Sequence, residues 1–347
     1  MNLTTAIRRH DSDGLVYGAL CMPAGSAATV GLGIPSAFAA WFQGQIMAWN
    51  VLDGFPMTQL GGKLGSYANS EQMLIEYGCS AQDAPQAEAW MGHAMDERRP
   101  SLLVDRPARG RAIGSWARLM GELSAGTHFA EPPPSVDEHS TQLINALKLL
   151  RQDYGVAGVT LRNSSLHIRR PKRFWRPEIS APLRGGNLSV KVPERTRRVY
   201  LGMALPGLHQ DGGRLALAVF SCINFGGLTA MMAHEGALSP TRTYCQLMQY
   251  WDRAFIVCDL RWESGSFHDS MEPLFDILSA PVRFDWLVEK AAPYYLRLIL
   301  DNPRERVRQT AFRVLMGADL LEDLLRVVSW REHLARAATP DIAVVAA

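Results

Sequence analysis

Apolar and polar positions follow two periods along this chain, and the period changes near residue 155. Before that point helical spacing dominates. Residues 36–50 set Phe38, Trp41, Phe42 and Ile46 on one helical face behind Ser36, a suitable N-cap. Residues 141–154 do the same with Leu143, Ile144, Leu147 and Leu150. Further helices are expected near 85–97 and over 109–123, and the prolines of 131–134 break any regular element. The opening stretch, 14–22, reads as a strand with Leu15, Tyr17, Ala19 and Cys21 on one face. A small-residue turn at 23–26 and a Gly/Pro-punctuated run at 29–35 follow it.

From 156 the period falls to two. Residues 156–168, 188–192, 198–205, 214–224 and 254–262 read as strands, with turns at Gly185-Gly186, Pro206-Gly207 and Gly212-Gly213. Helical spacing returns over 271–278, 284–300 and 304–336, with Pro293 at a helix start or kink and a break near Gly317. Residues 339–347 are small and apolar without period, and read as a loose tail. The pattern predicts an α+β fold in which helices back an antiparallel sheet.

Composition adds bounds. With 347 residues, 47 % of them hydrophobic, the chain can bury one large core or two smaller ones. The apolar stretch 30–51 is interrupted by Gly33, Pro35, Gln43, Gly44, Gln45 and Asn50, a poor match to a membrane span. A cytoplasmic protein without membrane contact is expected. The five cysteines (Cys21, Cys79, Cys222, Cys245, Cys258) form no C-x-x-C pair, so they are expected to be reduced and buried, with no zinc ribbon.

Charge changes the picture more. Between residues 160 and 200 lie eleven Lys/Arg against Glu178 and Glu194, a local excess of +9 in a chain of formal charge +2. The segment Arg169-Arg170-Pro171-Lys172-Arg173-Phe174-Trp175-Arg176-Pro177 is extended by its prolines and carries two rings. Such a tract suits a nucleic-acid backbone, with phosphates on cations and a base stacked on Trp175. The predicted RNA-binding residues are Arg162, Arg169, Arg170, Lys172, Arg173, Trp175, Arg176, Arg184, Lys191, Arg197 and Arg198. A solvated face neutralised by acidic neighbours is the other reading. A weaker basic group comprises Arg98, Arg99, Arg106, Arg109, Arg111 and Arg118.

Catalytic signatures are missing. The chain has no G-x-x-x-x-G-K-[ST], no G-x-S-x-G and no H-E-x-x-H. His209 with Asp211 reads as turn chemistry, Asp269 beside His268 as a helix N-cap, and His234-Glu235 has no partner at ligand spacing. No catalytic residue, metal or cofactor is expected. His167, beside the basic loop, is the one candidate general base.

The segment Thr29-Val30-Gly31-Leu32-Gly33-Ile34-Pro35-Ser36-Ala37-Phe38-Ala39-Ala40-Trp41-Phe42 resembles the N-terminal signature of CRISPR-associated RAMP proteins. The subgroup is the Cas-five (Csy-two-like) subunit of type I-F surveillance complexes, with a Cas-seven-like backbone subunit as runner-up. Arg118-Leu119-Met120-Gly121 and Arg197-Arg198 before Leu205-Pro206-Gly207-Leu208 fall in the same order. The resemblance implies a ferredoxin-like or RRM-like core, with a RAMP-like RNA-binding domain over 1–265, a helical region over 266–338 and a tail over 339–347. It implies a non-catalytic subunit gripping guide RNA (CRISPR RNA), with other complex subunits and target DNA as further partners. Two alternatives stay open. One is a phage or mobile-element assembly protein that binds an acidic partner; the other is a ribonuclease using His167.

Overall fold

The computed structural model describes residues 14–35, 38–52, 63–69, 71–94, 115–124, 140–178, 183, 185–210, 212–318 and 327–347. The chain forms two compact units, each assembled from three stretches of sequence. Met1–Arg109, Pro132–Pro177 and Leu298–Leu320 make the first, and Gly110–Glu131, Glu178–Arg297 and Leu321–Ala347 the second. This division differs from the boundary at 265 that the sequence suggested.

In chain order the first unit receives β1 (Leu15–Pro23), α1 (Gly25–Leu32), α2 (Phe38–Leu52), β2 (Lys63–Ala68), β3 (Gln72–Ser80) and α3 (Ala84–Ala94). After α4 (Ser115–Leu123), which belongs to the second unit, come α5 (Ser140–Leu149), β4 (Ala157–Arg162) and β5 (Ser165–Arg169). The second unit then takes β6 (Leu188–Lys191), β7 (Arg198–Pro206), α6 (Gly212–Asn224), α7 (Gly227–His234), β8 (Arg242–Gln249) and β9 (Arg253–Arg261). It continues through α8 (Met271–Ser279) and α9 (Asp285–Leu300). The chain returns to the first unit for α10 (Pro303–Met316) and ends in the second with α11 (Val327–Ala335) and β10 (Asp341–Ala346).

The first unit holds an antiparallel sheet in the order β2-β3-β1-β4-β5. Register and pleat sort its residues into rows. One row crosses Glu76, Ala19, Val159 and Ile168; the next, on the opposite face, crosses Tyr77, Gly18, Thr160 and His167. Helix α10 covers the Glu76 face, adding Val307, Ala311, Val314 and Leu315 to a core that includes Val16, Cys21, Leu74 and Val159. Its ends are marked locally. Asn302 caps it by accepting from the Glu305 amide at 3.1 Å, Pro303 occupies the first turn, and Gly317 (φ 78°) stops it in the left-handed region. The Glu76 carboxylate is buried beneath this helix and paired with both Arg304 and Arg308, the latter at 3.2 Å.

The second unit holds a sheet in the order β6-β10-β7-β9-β8, antiparallel except where β10 runs parallel to β6. Leu119 and Leu123 of α4 pack on one face with Ala204, Phe255, Val257, Ala343 and Val345. Gly202 makes room there, because a Cβ on it would stand 2.3 Å from Leu123. Helix α6 packs against β7, β8 and β9.

The architecture is α+β, with two five-stranded sheets in place of the single ferredoxin-like sheet expected. Three local expectations are corrected. Residues 341–346, read as a tail, form β10 inside the second sheet, where Val344 is fully buried. A short apolar run without period is the pattern of a strand buried on both faces. Residues 214–224, read as a strand, belong to α6, whose residues from Leu215 to Ile223 are all buried, so no polar face reveals the period. The punctuated run at 29–35 hides the end of α1, which Gly33 (φ 65°) terminates. Among the described residues, no single helix is long and apolar enough to cross a membrane.

A charge at the buried strand tests this assignment. Val344→Asp is expected to destabilise the protein by about 4 kcal/mol or more, read from urea unfolding, because an unpaired carboxylate would enter a sheet interior. Val30→Asp, on the exposed side of α1, should stay within about 0.5 kcal/mol of the wild type.

Candidate functional site

On the sheet face opposite α10 the first unit opens a groove of about 860 Å³. Its floor is the row Tyr77, Thr160 and His167. Gly18 lies in the same row, and its missing side chain lets the Tyr77 ring lie across the strand: a Cβ there would fall 2.2 Å from ring atoms. Glu88 and Met91 of α3 line the groove, as do Arg151 and Gln152 from the turn of π-helix at Leu150–Tyr154. Arg169 closes β5, and Arg170 and Lys172 follow it along the rim.

The loop after β5 is seated by backbone contacts. The Arg173 amide donates to the Tyr154 carbonyl at 3.1 Å, and Lys172 Nζ donates to the Gln152 carbonyl at 3.2 Å. Gly155 (φ 70°) permits this approach, since a Cβ would meet the Lys172 amide nitrogen at 3.0 Å. Four cations (Arg151, Arg169, Arg170, Lys172) thus face one carboxylate, Glu88, across the groove. Among the described residues none of the four forms an ion pair. The arrangement can hold an anionic group in a cleft with a partly apolar floor.

Burial pushes the Tyr77 phenol up from 10.0 to about 12, against the opposing effect of its bond to Thr160, with Glu88 and Cys79 adding to the rise. Tyr77 is therefore a neutral hydroxyl at the pH of any ordinary assay.

The predicted residues divide sharply. Arg169, Arg170 and Lys172 meet in the groove, with His167 on its floor. Arg162 is exposed at the far end of the β4–β5 hairpin. Trp175 is not a stacking platform: it is 4 % exposed, its indole nitrogen donates to the Glu71 carbonyl at 2.8 Å, and its amide donates to Leu315 at 2.9 Å. Phe174 lies against Gly317, with the Arg176 guanidinium 5.9 Å from its centroid, and Arg173 sits 5.5 Å from the Tyr154 ring. Lys191, Arg197 and Arg198 belong to the second unit. Lys191 pairs with Glu122, and Arg198 makes a two-pronged contact with Asp259 at 3.0 and 2.7 Å. The +9 tract is thus cut at Pro177, and part of it is neutralised within the second unit.

Arg184 lies outside the described residues, as do Arg98, Arg99, Arg106, Arg109, Arg111, Asp211 and the proposed cap Ser36. Asp269 does not cap α8: it lies inside the 3-10 turn His268–Ser270, where its carboxylate accepts from the Ser266 amide at 2.7 Å and the Ser266 hydroxyl at 3.0 Å. His209 Nδ1 lies 2.8 Å from the Trp251 carbonyl. All five cysteines are buried free thiols. Tyr77, Glu88 and Arg151 are parts of the groove that the sequence did not single out. Each lies in a different element, a strand, a helix and a π-helical turn, and only the tertiary packing brings them together.

No protein-family model and no curated protein sequence matches the chain. Solved structures do. A protease from Helicobacter pylori is similar with a TM-score of 0.66 and 12 % identity, over 95 % of this chain and 94 % of that one. The inactive domain of an M16 peptidase from Pseudomonas fluorescens gives 0.64 and 14 %, over 96 % and 92 %. The ferredoxin protease FusC, solved with Arabidopsis ferredoxin, gives 0.52 and 10 %; there this chain spans 43 % of the other. The fold is that of M16-like peptidase domains. This overturns the reading as a CRISPR RAMP subunit, and with it guide RNA, target DNA and surveillance-complex subunits as partners. The short N-terminal match fell on α1 and α2, where small and aromatic residues serve core packing.

Two variants test the groove floor. Gly18→Ala is expected to cost about 1–3 kcal/mol in urea unfolding, because the Tyr77 ring must leave its seat. Tyr77 loses stability in the folded state only where its phenol would ionise in the unfolded one. Its contribution is complete below pH 10 and falls as pH rises toward about 12, so Tyr77→Phe should flatten the alkaline limb of the stability–pH curve.

Proposed function

We propose that this chain is a polypeptide-binding protein of M16-like fold that holds its ligand without hydrolysing it. The observation that carries the reading is an end-to-end likeness to M16-like structures, one of them an inactive domain, in a chain unable to write the zinc-binding helix motif. That motif needs two histidines four residues apart, as H-E-x-x-H or H-x-x-E-H. The nearest two of the nine histidines here, His128 and His139, are eleven apart. Among the described residues no three His, Cys, Asp or Glu side chains converge as a metal site. The donor set does not fit a catalytic zinc.

The groove of the first unit is the place for the ligand. Among the described residues strand β5 is the edge of its sheet and pairs with β4 alone, so its outer row of backbone groups can add an extended segment. Arg151, Arg169, Arg170 and Lys172 beside that edge favour carboxylates on the incoming chain. The likeness to a protease structure that contains a bound protein supports a polypeptide as the ligand.

Fluorescence anisotropy with labelled extended peptides, one acidic and one basic, tests the reading. The acidic peptide is expected to bind more tightly, and Arg169→Glu with Arg170→Glu should weaken it by about tenfold. Mass spectrometry should show both peptides intact after incubation with added zinc. Zinc-dependent cleavage, or binding of neither peptide, would sink the proposal.

A further inference from the structure

Cys245 and Cys258 face each other across β8 and β9. The hairpin that joins these strands turns through Trp251 and Asp252, and the Tyr250 amide donates to the Arg253 carbonyl at 2.9 Å. That contact makes Tyr250 and Arg253 a hydrogen-bonded pair. Such pairs alternate with non-hydrogen-bonded ones along an antiparallel ladder. The register runs unbroken from Gln249↔Ala254 to Arg242↔Arg261, so Cys245↔Cys258 falls in a non-hydrogen-bonded position. There Cα atoms lie about 4.5 Å apart, inside the span a disulfide bridges. The two Sγ atoms stand 2.8 Å apart.

We infer that Cys245 and Cys258 are a disulfide-forming site that takes a small-molecule disulfide as its oxidant. Cys245 lies on the edge strand and is 7 % exposed, whereas Cys258 is fully buried one strand further in. Opening of the edge exposes Cys245 first. Its thiol loses a proton and the thiolate attacks one sulfur of the oxidant, breaking that S–S bond and releasing one small thiol. The Cys258 thiolate then attacks the Cys245 sulfur of the mixed disulfide and expels the second small thiol. Two protein thiols are oxidised, one small disulfide is reduced to two thiols, and both protein protons end on the released thiols.

In the closed sheet the Cys258 thiol is held well above its ordinary value of 9.0 by the neighbouring Cys245 and by burial. Exchange therefore waits on local opening rather than on pH alone. Once formed, the bond would tie the sheet edge covalently. The other cysteines have no such partner: Cys21 opposes Leu74 and Ala157, Cys79 opposes Val16, and Cys222 lies in α6.

The full chain would be incubated with oxidised glutathione in buffer and in urea below the unfolding transition. Alkylation under denaturing conditions and peptide mapping would follow. Three alkylatable thiols in place of five are expected, with one cross-linked peptide joining Cys245 to Cys258 that dithiothreitol reverses. The oxidised protein should also show a higher Tm than the reduced one, a difference lost in Cys245→Ser. Five free thiols under both conditions would overturn the inference, as would a cross-link through Cys21, Cys79 or Cys222, or a glutathione adduct that persists on Cys245.

Discussion

The first unit depends on a buried carboxylate. Glu76 lies in the middle of β3 with its side chain nearly closed to solvent, and a charge placed there is tolerable only with partners. Both partners come from α10, more than two hundred residues further along: Arg304 and Arg308, with Tyr67 of β2 beneath the Arg308 guanidinium at 4.3 Å. Removing one partner from such a cluster leaves an uncompensated charge, a loss of several kcal/mol. The pairing ties α10 to this face of the sheet, and the groove opens on the other.

The same long-range closure runs through the whole threading of the chain. Each unit takes three separate stretches of sequence, and in the second the closing segment is β10. A linear charge tract need not be one surface under such threading. Arg169, Arg170 and Lys172 lie at the groove, whereas Lys191 and Arg198 pair with Glu122 and Asp259 within the second unit. Surface pairs of this kind add little stability, yet they neutralise part of the excess charge on which the nucleic-acid reading rested.

The groove combines features that a nucleic-acid surface and a peptide cleft share: cations, a hydroxyl and an extended edge. Two features of the structure bear on the choice. Trp175 is committed to the core through Glu71 and Leu315, so the ring expected to stack on a base is not free to do so. The sheet edge at β5, in contrast, offers backbone partners to another backbone.

Much of the local structure was legible in the sequence. The helices expected at 36–50 and 141–154, the strands at 14–22 and 198–205, and the break near Gly317 that ends α10 follow from spacing and from the few residues that punctuate it. The absence of paired histidines was equally plain. Periodicity failed where both faces of an element are buried, as in α6 and β10, because a run with no polar side carries no phase. The site was legible only in part. His167, Arg169, Arg170 and Lys172 were visible as a charge run, but Tyr77 joins them through strand register, and Glu88 and Arg151 through the packing of a helix and a π-helical turn beside the sheet, which no local pattern encodes. Sequence by itself determined element type where a clear period met water, as at 38–52 and 198–206, though the half-exposed strand at 242–249 escaped it; the tertiary structure alone decided which charges share a surface, because long-range pairing, not chain neighbourhood, sets those distances.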